Sequence, residues 1–181
     1  MRVDSRIGID GELVVGVLSQ MSCTSDRREG AIVGAIATVE AYVDATVKRL
    51  IDMDSRTRSQ LGNYLIDQYI SELSRNWKSR HSVLRDGFGV FVESESVAQN
   101  LKIVVDVRNA LMHGDGKLTD LQSAKWKSVV ALRRDMANRL DIELQGRRLV
   151  LGEDSVKLAC SILIEYVLQL ERSIYARKLR G

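Results

Sequence analysis

Not one of the 181 residues of this chain is proline. Proline breaks a helix interior, because it removes a backbone donor and clashes with the preceding turn. A chain without it can run long helices with no enforced interruption, and the apolar residues here are spaced for that. Between Arg27 and Met53, Ile32, Ile36, Val39, Val43, Val47 and Leu50 recur at intervals of four and three, the repeat of one helix face. Gly30, Ala31, Gly34, Ala35 and Ala37 lie between them and allow a neighbour to come close. Further helices are expected over Asp10–Met21, Thr57–Arg75, Trp77–Asp86 and Asp120–Arg139, although Gly11 and Gly16 weaken the first. Thr24-Ser25-Asp26 and Asp154-Ser155 supply capping residues, and Thr119 with Gln122 forms a capping-box pair. The final helix carries Val156, Ala159, Leu163, Tyr166, Leu170 and Ile174 as its stripe. One segment departs from the helical period. Leu140–Leu144 alternates at period two, Gln145-Gly146 makes a turn, and Arg147–Leu151 returns, which reads as a β-hairpin. The expected fold is all-α, an up-and-down helical bundle with a small appended β-hairpin. Residues 1–24 form an N-terminal arm or short helix, and 25–181 the helical domain.

Composition narrows the function classes. The net charge is +3, and Glu171–Gly181, with four basic residues against Glu171, carries an excess of that size. The body is therefore not expected to be a strongly basic nucleic-acid binder. Aromatic residues are 5%, too few for a binder built on stacking platforms. Cys23 and Cys160 are far apart and suit free thiols in a reducing compartment. With no Cys-x-x-Cys and no histidine cluster, no metal site and no cofactor is expected. No apolar run is read as a membrane span, no apolar leader is evident near the N-terminus, and the expected location is cytoplasmic.

The chemistry concentrates in Ser94–Lys117. Ser96 and Gln99 are spaced as a capping box, and Gly114 is a ready helix stop. Val97, Leu101, Val104, Val105, Leu111 and Met112 read as one apolar stripe with Arg108 in its middle. A buried charge is costly, so Arg108 needs an anion partner, an exit to a groove or a subunit interface. Set in an apolar stripe, it also makes Arg108→Ala neutral or stabilising. Asn109 and His113 share the flank of that helix with Lys102 and Asp106. Arginine offers a planar fork for phosphate and histidine a proton near neutral pH, a combination suited to phosphodiester chemistry. Glu40 is the one acid in the densest apolar part of the Arg27–Met53 helix. The plainer reading is a solvent-side residue, with Asp44 one turn on; the sharper is a partner for Arg108 or His113. Asp106, and Lys117 in the loop behind His113, are further supporting candidates. His81, between Arg80 and Ser82, reads as a surface histidine.

Arg108-Asn109-Ala110-Leu111-Met112-His113 resembles the R-N-x-x-x-H motif of HEPN domains, and the layout from about Asp26 to Tyr175 resembles their bacterial RiboL-PSP type. The resemblance implies a metal-independent endoribonuclease of a toxin or antiviral defence system, with Arg108, Asn109 and His113 catalytic. It also implies a homodimer whose two motifs share one groove, RNA as substrate, and an antitoxin or effector protein as a possible partner. Some HEPN domains paired with a nucleotidyltransferase carry a tyrosine two residues past the histidine. Here that residue is Asp115, so an AMP-acceptor role is not expected. Two other readings stay open: a non-catalytic HEPN scaffold or partner-binding module, and a plain helical interaction protein in which Arg108 is an internal salt-bridge residue.

Overall fold

The computed structural model of the protein describes residues 8–23, 27–54, 59–73, 76–90 and 95–178. Eight helices appear among them: α1 (Ile9–Met21), α2 (Arg28–Met53), α3 (Gln60–Leu73), α4 (Trp77–Ser82), α5 (Glu95–His113), α6 (Asp120–Ser123), α7 (Trp126–Leu140) and α8 (Ser155–Lys178). Strands β1 (Ile142–Gln145) and β2 (Arg148–Leu151) form one antiparallel hairpin between α7 and α8. The chain is thus an all-α bundle with a small hairpin. The Thr24–Asp26 caps lie outside the described residues, as do the Thr57 and Arg75 ends of the expected Thr57–Arg75 helix.

Helix α8 is the hub, lying against α1, α2, α5 and α7. Its stripe of Val156, Ala159, Leu163, Tyr166, Leu170 and Ile174 is buried throughout, as a 3.6-residue period requires of a helix facing a core. Helix α2 supplies Ile32, Ala35, Ile36, Val39, Val43 and Val47 to the same core. By length and composition α2 is apolar enough to cross a bilayer, which the sequence reading missed. Its apolar density is that of a core helix, with ten of its residues buried against the bundle.

Helix α1 is fixed to α8 by a carboxylate. Glu171 is buried and accepts the Gly8 amide at 3.1 Å and the Tyr42 hydroxyl. Burial, then the bond to Glu171, holds that phenol protonated far above the ordinary tyrosine range. Glu171 therefore belongs to the core rather than to a solvated basic tail, and the Arg172–Arg177 stretch behind it is helical.

Helix α4 ends in a wide π-helical turn, Val83–Gly87. His81 is half-buried, not a surface residue: its Nε2 lies 3.1 Å from the Tyr166 hydroxyl, and its ring is tilted against those of Trp77 and Tyr166. Burial first, then the charges of Arg85 and Arg80, disfavour the imidazolium and lower the His81 pKa. The fold thus holds His81 neutral. That contribution is complete above the unfolded value near 6.5 and is lost as pH falls from there toward the depressed folded value. Thermal melts from about pH 7 to about pH 5 should show the wild type losing more stability than His81→Gln, which has no proton to gain.

Two local readings are corrected. The expected helix Asp120–Arg139 is broken at Ala124-Lys125 into α6 and α7. The Thr119–Gln122 capping box closes in both directions and starts the short α6. Within α7 only Met136 and Leu140 are buried, while Trp126 and Val130 are 78% and 49% exposed. These two pairs sit roughly 80° apart around the helix, beyond the width of the face that meets β1, α5 and α8. Helix α5 begins at Glu95, so Ser96 lies inside its first turn rather than capping it.

Candidate active site at the end of helix 5

The buried face of α5 is Val97, Leu101, Val104, Val107 and Ala110, with Ile103 beside them. It is rotated from the expected stripe: Val105 and Leu111 are half-buried, and Met112 is 55% exposed. Arg108 lies at the edge of that face, roughly 70° from its centre, with 30% of its side chain exposed. An edge position lets the aliphatic stem pack while the guanidinium reaches polar partners.

Those partners exist within the chain. Arg108 donates from Nη1 to Asn109 Oδ1 at 3.1 Å and from Nη2 to Glu40 Oε2 at 3.4 Å. Glu40, 16% exposed, is also 3.8 Å from Arg80 Nη1. Arg80 is buried and forks onto Asp44, Nε to Oδ1 at 2.7 Å and Nη2 to Oδ2 at 2.9 Å. The bond to Asp44 outweighs desolvation and raises the Arg80 pKa, so the guanidinium stays charged although buried. The result is an alternating line, Asp44–Arg80–Glu40–Arg108–Asn109, running from α2 and α4 to α5. Glu40 thus takes the sharper of its two readings, as the anion beside Arg108. The expectation that Arg108→Ala would stabilise is corrected, because the charge is paired and its loss leaves Glu40 with one cation instead of two.

Sequence reasoning missed Arg80. The available signal was the i,i+4 pair Glu40 and Asp44 on an otherwise apolar helix, which implies an inward-facing cation as readily as a solvent face.

The other candidates are placed differently. His113 is the last residue of α5 and is exposed, with no hydrogen-bond partner among the described residues. Asn109 orients Arg108 rather than His113. Asp106 lies about 200° around α5 from Arg108. It bonds to Lys102 at 3.4 Å, and its backbone carbonyl accepts from Gln122 Nε2 at 2.8 Å. It therefore belongs to the α6 side. Lys117 is exposed and bridges to Arg148 of β2.

What fixes His113 is the loop behind it. Asp115, at φ 52°, and Gly116, at φ 74°, turn left-handed, and the Gly116 amide returns to Ala110 O at 3.2 Å. The loop is then sewn to the hairpin. Leu118 N donates to Arg147 O and Leu149 N to Gly116 O, both at 2.8 Å, and the Arg147 guanidinium closes on the Leu118 carbonyl. Gly114 is required by closeness rather than by φ: a Cβ there would stand 1.8 Å from the Lys117 carbonyl oxygen and 2.8 Å from that of Ala110.

Chemically the helix end offers an oriented, half-exposed guanidinium and an exposed imidazole. Among the described residues no three His, Cys, Asp or Glu side chains converge as a metal cluster. No family model matches the chain, and no curated protein or solved structure matches it.

Proposed function

We propose that the protein is a metal-independent endoribonuclease whose site is Arg108, Asn109 and His113 at the end of α5. The observation that carries this reading is the pairing of a guanidinium held by Glu40 and Asn109 with an imidazole left open to solvent. RNA supplies its own nucleophile. The 2′-oxygen attacks the adjacent phosphorus and the bond to the 5′-oxygen breaks. The 2′-hydroxyl proton leaves to a base, and a proton is delivered to the departing oxygen. The products are a 2′,3′-cyclic phosphate and a 5′-hydroxyl. His113 moves the protons. Arg108 stabilises charge on the phosphorane oxygens, with N–H donors beyond those that Glu40 and Asn109 engage.

Arg108 and His113 stand about 140° apart on one helix, so a two-fold dimer would let one chain's arginine face its partner's histidine. Exposed Met112 beside His113 gives such an interface an apolar contact. Light scattering should give twice the chain mass at micromolar concentration; a monomer counts against the shared site. We place the nuclease in the cytoplasm, as a toxin or defence effector held in check by a partner protein.

A second reading has its own support. The Asp44–Arg80–Glu40–Arg108 line would serve equally in a non-catalytic HEPN-like module in which Arg108 is structural. Incubating the purified protein with a mixed single-stranded RNA, with and without EDTA, separates the two. Cleavage that persists in EDTA and leaves cyclic phosphate ends supports the nuclease; intact RNA supports the module.

A further inference from the structure

Leu84 and Arg85 belong to the wide turn that ends α4, and they form one wall of a cavity of about 160 Å3. Turns of this π-helical kind occur frequently at functional sites. Val90, Ala98 of α5 and Leu170 of α8 surround the rest of the space. Leu84, Val90 and Leu170 are buried and Ala98 is half-buried, so these walls are aliphatic. An apolar cavity of about 150 Å3 is large enough to take one benzene ring.

The remaining lining is different in kind. His81 and Tyr166 complete it, bonded to each other between Nε2 and the hydroxyl at 3.1 Å. Burial holds the Tyr166 phenol protonated, and burial, then Arg85 and Arg80, keeps the His81 imidazole unprotonated near pH 7. Each of these neutral groups carries one polar hydrogen, and their mutual bond uses one of the two. In either tautomer the other hydrogen has no partner among the described residues. The two rings also offer edges and faces against which an aromatic guest packs well. Arg85 is the one charged group of the lining among the described residues. It is exposed and already forks onto Asp86, Nε to Oδ1 at 2.8 Å and Nη2 to Oδ2 at 3.1 Å. Size therefore selects a single ring. The aliphatic walls would strand the several polar groups of a nucleobase, and a carboxylate would meet a cation that has its anion.

We propose that this cavity binds a neutral, single-ring aromatic molecule of the phenol class, its ring among Leu84, Val90 and Leu170 and its oxygen at the His81–Tyr166 pair. The site is separate from the end of α5, since Ala98 precedes His113 by fifteen residues, roughly 22 Å along the helix. It holds whether or not the protein cuts RNA. Phenol itself is the probe, titrated calorimetrically into the full chain near neutral pH, with toluene, benzoate and uridine as comparisons. Wild type should bind one equivalent of phenol and neither benzoate nor uridine. Ala98→Leu puts an isobutyl group into the space and should weaken phenol at least about 10-fold, while the melting temperature shows the variant folded. His81→Leu together with Tyr166→Phe replaces both polar partners by apolar groups, a change that costs a fold little. It should lower the affinity for phenol relative to toluene by about 2- to 10-fold, the net worth of one hydrogen bond. The chain has two histidines, so ring signals in an NMR spectrum locate the ligand in the wild type. Phenol should move those of His81 and leave those of His113 in place.

If wild type shows no saturable binding of phenol, or a folded Ala98→Leu binds it as wild type does, the proposal is overturned. If Ala98→Leu does not fold, the histidine signals decide: a shift at His81 supports the site, and a His81 that phenol leaves unmoved overturns it. If benzoate or uridine displaces phenol and binds more tightly, the ligand is of another class and the proposal is likewise overturned.

Discussion

His113→Ala should lower RNA cleavage by about 10²–10⁴-fold and leave the fold almost untouched. The rate loss is the ordinary contribution of a positioned general acid or base. The stability is spared because the imidazole is exposed at a helix end and has no partner among the described residues. Trimming such a side chain opens no cavity and strands no polar group, so the change should stay within about 0.5 kcal/mol. Arg108→Ala should match it in rate through lost phosphorane stabilisation, but not in stability. It removes a partner of Glu40, a carboxylate only 16% exposed, and its melting temperature should fall while that of His113→Ala does not. Rates in EDTA and thermal melts on the same preparations make the comparison. A His113→Ala variant that cuts as fast as wild type would end the ribonuclease reading.

Gly114→Ala should be the more damaging change to structure, although it adds a single carbon. The new Cβ would lie 1.8 Å from the Lys117 carbonyl oxygen and 2.8 Å from the Ala110 carbonyl oxygen. Both are backbone atoms and neither can rotate aside. Ala110 O receives the returning amides of Gly114 and Gly116, and Leu118 is tied to Arg147. Relief requires the loop to shift as a unit, at a cost of about 2–3 kcal/mol. For a chain of this size that is roughly 5–10 °C in melting temperature. The same shift would move His113, so cleavage should fall as well. A Gly114→Ala protein with wild-type melting and wild-type cleavage would mean that the loop does not hold the helix end.

The elements that were legible in the sequence are those whose signal is purely local. The α2 and α8 stripes repeat cleanly over many turns, and Leu140–Leu151 alternates around a glycine turn, so period alone identifies them. The site was legible as residue types and only partly as geometry. Arg108, Asn109 and His113 stand out by chemistry. The stripe on α5, however, was placed about a quarter-turn off, because Val107 and Ala110 were passed over in favour of Val105 and Met112. Apolar residues encircle much of that helix, and only the neighbours decide which of them are covered. Glu40 shows the same limit from the other side. Its spacing to Asp44 fits a wet face or a buried pair equally, and the deciding residue, Arg80, arrives forty positions later from a separate helix. Trp126 marks the reverse case, an apolar residue in a helical pattern that the fold leaves outside.

The stitching of the His113 loop to the hairpin also sets a clock. The Leu118 carbonyl is gripped by Arg147, a residue made 29 positions later. At a synthesis rate of about 5–20 residues per second, that interval is roughly 2–6 s. During it the end of α5 exists as a chain without the clasp that shapes it. A nascent polypeptide on the ribosome, surrounded by RNA, would carry Arg108 and His113 in an unfastened state until β2 emerges. The clasp on the end of α5 is thus among the later contacts that synthesis of the chain makes possible.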